Sequence, residues 1–142
     1  MKNQNEKKIH ITYKTSKVFL PKQLEELFLS VDWASGHYPE KLSEAIKNSD
    51  TVFTAWDGET MVGLANVLDD KVMTAYVHFL LVRPNYQSYG IGKELIRLIK
   101  EKYKDFLRIV LISYDDKIKF YQNCGFETGK DETPMFITSL WN

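Results

Sequence analysis

Apolar residues in the first fifty positions recur at two periods. Ile9–Lys14 alternates apolar and polar side chains, which predicts a first strand. Pro21 suits the first turn of a helix. Leu20, Leu24, Leu27, Phe28 and Val31 then mark one face of an amphipathic helix that should stop near Asp32–Gly36. Pro39 opens a second, shorter helix with Leu42, Ala45 and Ile46 on one face and Asn48–Asp50 at its end. The aromatic, polar stretch Trp33–Tyr38 joins the two.

The period then changes. Thr51–Trp56 and Thr60–Val67 are β-rich runs on either side of Asp57-Gly58, a hairpin signal, and Asp69-Asp70 makes a second turn. Val72–Val82 places Val72, Thr74, Tyr76, His78, Leu80 and Val82 on one face and Met73, Ala75, Val77, Phe79 and Leu81 on the other. Both faces are largely apolar, which predicts a central strand covered on both sides. Arg83–Tyr89 reads as a loop, Gly90–Lys104 as a helix buried along Ile91, Leu95, Leu98 and Ile99, and Phe106–Ser113 as a strand. A short helix capped by Asp115 or Asp116 should end before Gly125, and Pro134–Leu140 reads as a last strand. The strand–helix–strand step from Leu80 to Phe106 implies parallel neighbours. The expected fold is one α/β (α+β) domain over residues 1–142, with a mixed sheet antiparallel in its first half.

Composition narrows the class. The chain has 142 residues, 44% hydrophobic and 27% charged, values ordinary for a globular domain. No apolar run approaches the ~20 residues of a membrane helix. Met1–Lys8 lacks the apolar core of a secretion signal, and Cys124 is the only cysteine, so no intrachain disulfide forms and a reducing cytoplasm is expected. Nineteen basic residues balance nineteen acidic ones, which speaks against a dedicated nucleic-acid binder. Three scattered histidines and one cysteine make no metal-ligand pattern, and no Gly-x-Ser-x-Gly elbow occurs.

The segment richest in chemistry is Val82-Arg83-Pro84-Asn85-Tyr86-Gln87-Ser88-Tyr89-Gly90-Ile91-Gly92-Lys93, a buried strand running into a helix through a glycine-containing loop. Backbone N–H groups at such a helix start lack partners and suit an anion. Leu95 replaces the third glycine of a dinucleotide fingerprint, and Glu94 replaces the Ser or Thr of a phosphate loop. A plain strand-to-helix turn remains the competing reading of the glycines.

This run resembles the signature Gln/Arg-x-x-Gly-x-Gly/Ala of the GNAT superfamily of acetyl-coenzyme A-dependent N-acetyltransferases, with Gln87, Gly90 and Gly92 in place. Phe120-Tyr121-Gln122-Asn123-Cys124-Gly125-Phe126 matches that family's second mark, Phe-Tyr-x-x-x-Gly-Phe. The element order fits over nearly the whole chain. The resemblance implies acetyl-CoA as cosubstrate, with Gln87, Ser88, Tyr89, Gly90, Ile91, Gly92 and Lys93 around its pyrophosphate. It implies the backbone of Leu80, Leu81 and Val82 along the pantetheine arm, a bulge that splays this strand from the next, and an N–H near Leu81 that polarises the thioester. It also makes Tyr121 the acid that protonates the departing thiolate. Two departures are visible: Ser88 and Tyr89 stand where the family often has Gly and a cation, and Tyr114 stands where an Asn often bonds the cofactor arm.

The attacking amine needs a base, and His78, on the central strand near Leu80, is the best candidate. A core histidine bonded to a neighbour is the alternative. For Tyr121 the alternative is an aromatic packed on the sheet, and for Cys124 a buried small hydrophobe is favoured over a nucleophile. Trp33, His37 and Tyr38 border the acceptor side in the family, although Trp33 also suits a hydrophobic plug.

The leading expectation is acetyl transfer to a primary amine of a small molecule; the sequence leaves the oligomeric state open, and the resemblance implies only that domains of this size often form a homodimer. A cofactor-binding sensor, or acetylation of a protein N-terminus or lysine, are the alternatives. The zero net charge is also uneven. Residues 23–70 carry two positive and ten negative side chains, and residues 71–104 seven and two. That division suits a polyanionic cofactor on the basic segment and a cationic acceptor beside the acidic one.

Overall fold

The computed structural model describes residues 9–142, so the reading of Met1–Lys8 lies outside it. Five strands form one sheet in sequence order: β1 (Ile11–Lys14), β2 (Thr51–Asp57), β3 (Thr60–Asp69), β4 (Thr74–Val82) and β5 (Arg108–Leu111). The first four pair antiparallel, and β5 joins β4 in parallel. Helices α1 (Pro21–Ser30) and α2 (Pro39–Lys47) cover one face through Leu24, Leu27, Phe28, Leu42 and Ile46. Helix α3 (Ile91–Lys102) covers the other with Ile91, Leu95 and Ile99, all fully buried. With apolar cover on both sides, β2 is buried over six of its seven residues.

Small devices fix the frame around the later site. Asp57 and Thr60 bracket a two-residue hairpin loop in which Gly58 takes φ +60°. Asp70 accepts backbone hydrogen bonds from Val72, Met73 and Thr74, and these hold its carboxyl down to about 2. That turn takes up Val72 and Met73, so β4 starts at Thr74. A Cβ on Gly63 would stand 3.0 Å from Ile91 Cγ2, so the glycine lets the start of α3 close onto β3.

The last expected strand does not form. Pro134 has no N–H to donate, and segment 127–142 makes no backbone hydrogen bond to β5. Thr138 Oγ1 accepts from Leu140 N at 2.8 Å and donates to the same residue's carbonyl, bending the chain. The segment instead ends beside α1, where Asn142 O accepts from Ser35 N (2.8 Å) and Ser35 Oγ (2.6 Å), and Asn142 Oδ1 accepts from Ala34 N (2.6 Å). Residues 84–89, expected as a loop, form a 3-10 helix (Pro84–Tyr89). The strand expected over Phe106–Ser113 shrinks to β5, and the short helix near Gly125 becomes α4 (Ile118–Asn123) behind a 3-10 turn at Asp115–Lys117.

Candidate active site

The site begins with an irregularity in β4. Opposite β3, Asn66 faces Phe79 and Val67 faces Val77, so His78 is one residue too many. A β-bulge of this kind bends its strand and ends regular pairing. Asn66, only 2% exposed, holds the bulge: its Oδ1 accepts from Phe79 N at 2.8 Å, and its Nδ2 donates to Ser49 Oγ at 3.0 Å. On the other edge the β4–β5 ladder stops at Val77–Leu111. From His78 onward the two strands separate, and the backbone of Leu80, Leu81 and Val82 has no strand partner on that side.

The bulge also shifts the phase of the strand, which corrects the expected faces. Ala75 and Val77 pack on the α3 side, and so do Leu80 and Val82, whereas Phe79 and Leu81 pack on the α1 side. His78 is therefore not on the face of Leu80. Its ring stacks on that of Phe79, its chain neighbour, with centroids 3.9 Å apart.

A cavity of about 570 Å³ fills the gap between the strands. Leu80–Val82 form one wall, and Ile112, Ser113 and Tyr114 the other. Gln87, Gly90, Gly92 and Lys93 lie at one end. Gly90 takes φ +73°, and a Cβ there would meet nothing within 4 Å, so the backbone is open to a ligand at the start of α3. Glu94 N is the first helical donor, to Gly90 O at 3.0 Å. The N–H groups of Ile91, Gly92 and Lys93 therefore precede the helical ladder and point along its positive end.

The loop is tied to the β2–β3 hairpin. Tyr86 Oη donates to Asp57 Oδ2 (2.6 Å), and Arg83 Nε donates to Met61 O (2.8 Å). The two sequence motifs meet at Gly92, where a Cβ would stand 3.1 Å from Phe120 Cζ. Lys117, which lies outside both motifs, lines the cavity with Lys93, and so does Asp116. Ser88 and Tyr89 are exposed and line neither cavity, and the Ile91 side chain is fully buried in the core, so only its backbone can serve the site.

Tyr121 lines the same cavity, against Phe120 and Phe126. Burial, with a smaller contribution from the Cys124 thiol, pushes its phenol up to about 12, so it is protonated throughout the neutral range. His78 keeps an exposed flank in the cavity, but its packing against Tyr76 and Phe79 desolvates the ring and holds its pKa below the usual value. It is therefore neutral at pH 7. Cys124 is partly buried, and burial raises its thiol pKa, which suits a packed residue rather than a nucleophile.

A second cavity, of about 540 Å³, adjoins the first, sharing Trp33, His78, Ile112, Ser113 and Tyr114. Tyr76, Phe79 and Ser35 contribute to it, as do residues 136–138 and 140–142. Trp33 is both plug and wall: it packs edge-on against Phe28 at 5.9 Å and faces the cavity. His37 and Tyr38 are exposed and line neither cavity, whereas Ser35 and Gly36 of the 3-10 turn Ala34–His37 are buried. No Asp or Glu lines this second cavity, so the acidic charge of residues 23–70 does not reach it. Among the described residues, no group of three or more His, Cys, Asp or Glu is placed to hold a metal ion, and no helix is long and apolar enough to cross a membrane.

A family model for the acetyltransferase (GNAT) domain matches residues 11–135. The chain belongs to the GNAT acetyltransferase family. A GNAT-family protein of Streptococcus pneumoniae TIGR4 superposes with a TM-score of 0.79 at 28% identity, covering 92% of this chain and 98% of that one. A ycf52-like N-acetyltransferase of Prochlorococcus marinus is 31% identical over 110 residues, 73% of this chain and 61% of its own length. A Glycine max protein named histone acetyltransferase TAP1 is 32% identical over 100 residues, 61% of this chain and 43% of that protein. The GNAT chain thus spans less than two thirds of these curated relatives. GNAT proteins use acetyl-CoA as cosubstrate. The first cavity fits it on three counts: an open strand edge, an unfilled Cβ position at Gly90, and two lysines beside free helix N–H groups.

Proposed function

We propose that this chain is an acetyl-CoA-dependent N-acetyltransferase that transfers the acetyl group directly to a primary amine of a small molecule. The observation that carries the reading is the separation of β4 from β5 after Val77, with Gln87, Gly90, Gly92 and Lys93 at one end of the gap and Tyr121 in its wall. When bound, acetyl-CoA supplies an acyl group activated as a thioester. The N–H groups of Ile91, Gly92 and Lys93, with the Lys93 and Lys117 ammonium groups, hold its pyrophosphate. The free edge of Leu80–Val82 aligns the extended arm as an added strand would.

His78, neutral at pH 7, accepts a proton from the amine, directly or through one water. The amine nitrogen can then form its bond to the acyl carbon as the carbon–sulfur bond breaks. Tyr121 Oη donates its proton to the leaving sulfur, and the proton that the nitrogen sheds as it becomes an amide returns through water to the phenolate. A backbone N–H near Leu81 stabilises charge on the carbonyl oxygen. The 136–142 segment closes one side of the acceptor cavity, which favours a small amine over a protein chain lying in an open groove. The name of the Glycine max relative is what favours a protein acceptor. A lone Cys124 without a disulfide partner suits a reducing compartment such as the cytoplasm.

The test is release of CoA thiol with an amine panel and with a lysine peptide. Tyr121→Phe should lower kcat about 10²-fold or more while leaving KM for acetyl-CoA near its original value. Unchanged turnover in that variant removes Tyr121 from the chemistry. Tight CoA binding with no thiol release for any acceptor favours a sensor instead.

A further inference from the structure

The second cavity is built for a particular acceptor chemistry, and this deepens the function proposed above. Six aromatic side chains line it: Trp33, Tyr76, Phe79, Tyr114, Phe136 and Trp141. No Asp, Glu, Lys or Arg does. Its polar groups are hydroxyls, the Asn142 amide, the Asn142 main-chain oxygen, which Ser35 N and Oγ already engage, and, where it meets the first cavity, His78. We propose that this cavity takes a primary amine attached to an aromatic or bulky apolar body that carries no second charge, and that Phe136 and Trp141 are its specificity-determining residues.

Three observations converge on this. A second ammonium, a phosphate or a carboxylate on the acceptor would leave water with no charged side chain of the cavity to meet it, which is costly. Phe136 and Trp141 are 51% and 72% exposed yet touch each other edge-on at 5.4 Å, so an aromatic contact stands at the cavity rim with nothing packed over it. An aryl group entering from that side would cover them, and aromatic rings pack well in such offset or edge-on arrangements. Finally, the segment that carries them is anchored. Asn142 binds Ala34 and Ser35 through three hydrogen bonds, next to Trp33 on the opposite wall. The rim is thereby held against the same turn that supplies Trp33.

The experiment compares 2-phenylethylamine with n-propylamine, spermidine and glucosamine 6-phosphate, in the wild type and in Phe136→Ala/Trp141→Ala. Because both residues are largely exposed, the double variant should fold, and its melting temperature checks this. The wild type should show the highest kcat/KM for 2-phenylethylamine. The double variant should raise KM for that amine about tenfold, with KM for acetyl-CoA unchanged. Saturation-transfer NMR of 2-phenylethylamine on the CoA-bound protein gives a readout without turnover. A wild-type signal that is lost in the double variant supports the cavity assignment even if no amine is acetylated, in which case it is the enzyme reading that fails. Faster acetylation of spermidine or glucosamine 6-phosphate, or an NMR signal unaffected by the double substitution, overturns the assignment.

Discussion

Two glycines with nearly the same backbone separate conformational strain from ligand contact. Gly90 has φ +73° and Gly58 has φ +60°, and a Cβ at either would meet no atom within 4 Å. Replacing either with Ala therefore introduces no clash, and the cost comes from the left-handed conformation, about 1–2 kcal/mol. For a domain of this size that lowers Tm by about 4–8 °C in both variants. Only Gly90 lies at the proposed pyrophosphate site, where a methyl group would stand between the anion and the first N–H groups of α3. Loss of one charge-assisted hydrogen bond is worth about 1.5–3 kcal/mol, so Gly90→Ala should raise KM for acetyl-CoA about tenfold or more. Gly58→Ala, in the β2–β3 hairpin, should leave it unchanged. Differential scanning fluorimetry and a thiol-release titration in acetyl-CoA measure both effects. If the two variants lose the same stability and neither changes KM, the helix start is not where the anion binds.

Other predictions concern the bulge and the titrating groups. Asn66→Leu leaves the Phe79 N–H without its partner and removes the donor to Ser49 Oγ, which keeps its own bond to Ala45 O, so the change should cost about 1–3 kcal/mol of stability, read by urea denaturation, and reduce kcat through a displaced His78. An Asn66→Leu protein as stable and active as the wild type would show that the bulge holds itself. His78 has a folded pKa below its unfolded value, so the unfolded chain binds its proton first, and this residue's contribution to stability falls as pH drops below about 6.5. His78→Gln should abolish that slope in a pH series of melting curves, and should also remove the acid limb of kcat/KM if the imidazole is the base. Tyr103 donates to Asp69 and shares a hydrogen bond with Thr51, far from both cavities, so Tyr103→Phe should lower Tm without altering either KM.

Much of this architecture is legible in the amino-acid order because local signals and burial agree. Pro21 and Pro39 start α1 and α2, Gly58 turns the first hairpin, and Gly90-Ile91-Gly92 marks the start of α3. The bulge at His78 is different. Residues on both sides of β4 are apolar, so a one-residue phase shift leaves no mark on the alternation, and only the pairing with Asn66 and Val67 exposes it. The 134–140 run has strand-like residues, but a strand exists only with a partner edge, and here Thr138 and Asn142 take the segment to the turn after α1 instead. Trp33, His37 and Tyr38 share one loop, yet nearness in sequence does not fix which side chains turn inward: Trp33 reaches the cavities, while His37 and Tyr38 are exposed. Lys117 stands outside both motifs and reaches the cavity only because the chain turns at Asp115–Lys117.

The most direct measurement is a crystal structure of the protein with CoA. The account predicts an extended arm hydrogen-bonded to the backbone of Leu80–Val82, pyrophosphate oxygens on the N–H groups of Ile91–Lys93, and a sulfur within reach of Tyr121 Oη and beside the opening to the aromatic cavity. CoA bound elsewhere, or bound in this gap with its sulfur remote from Tyr121, would contradict it.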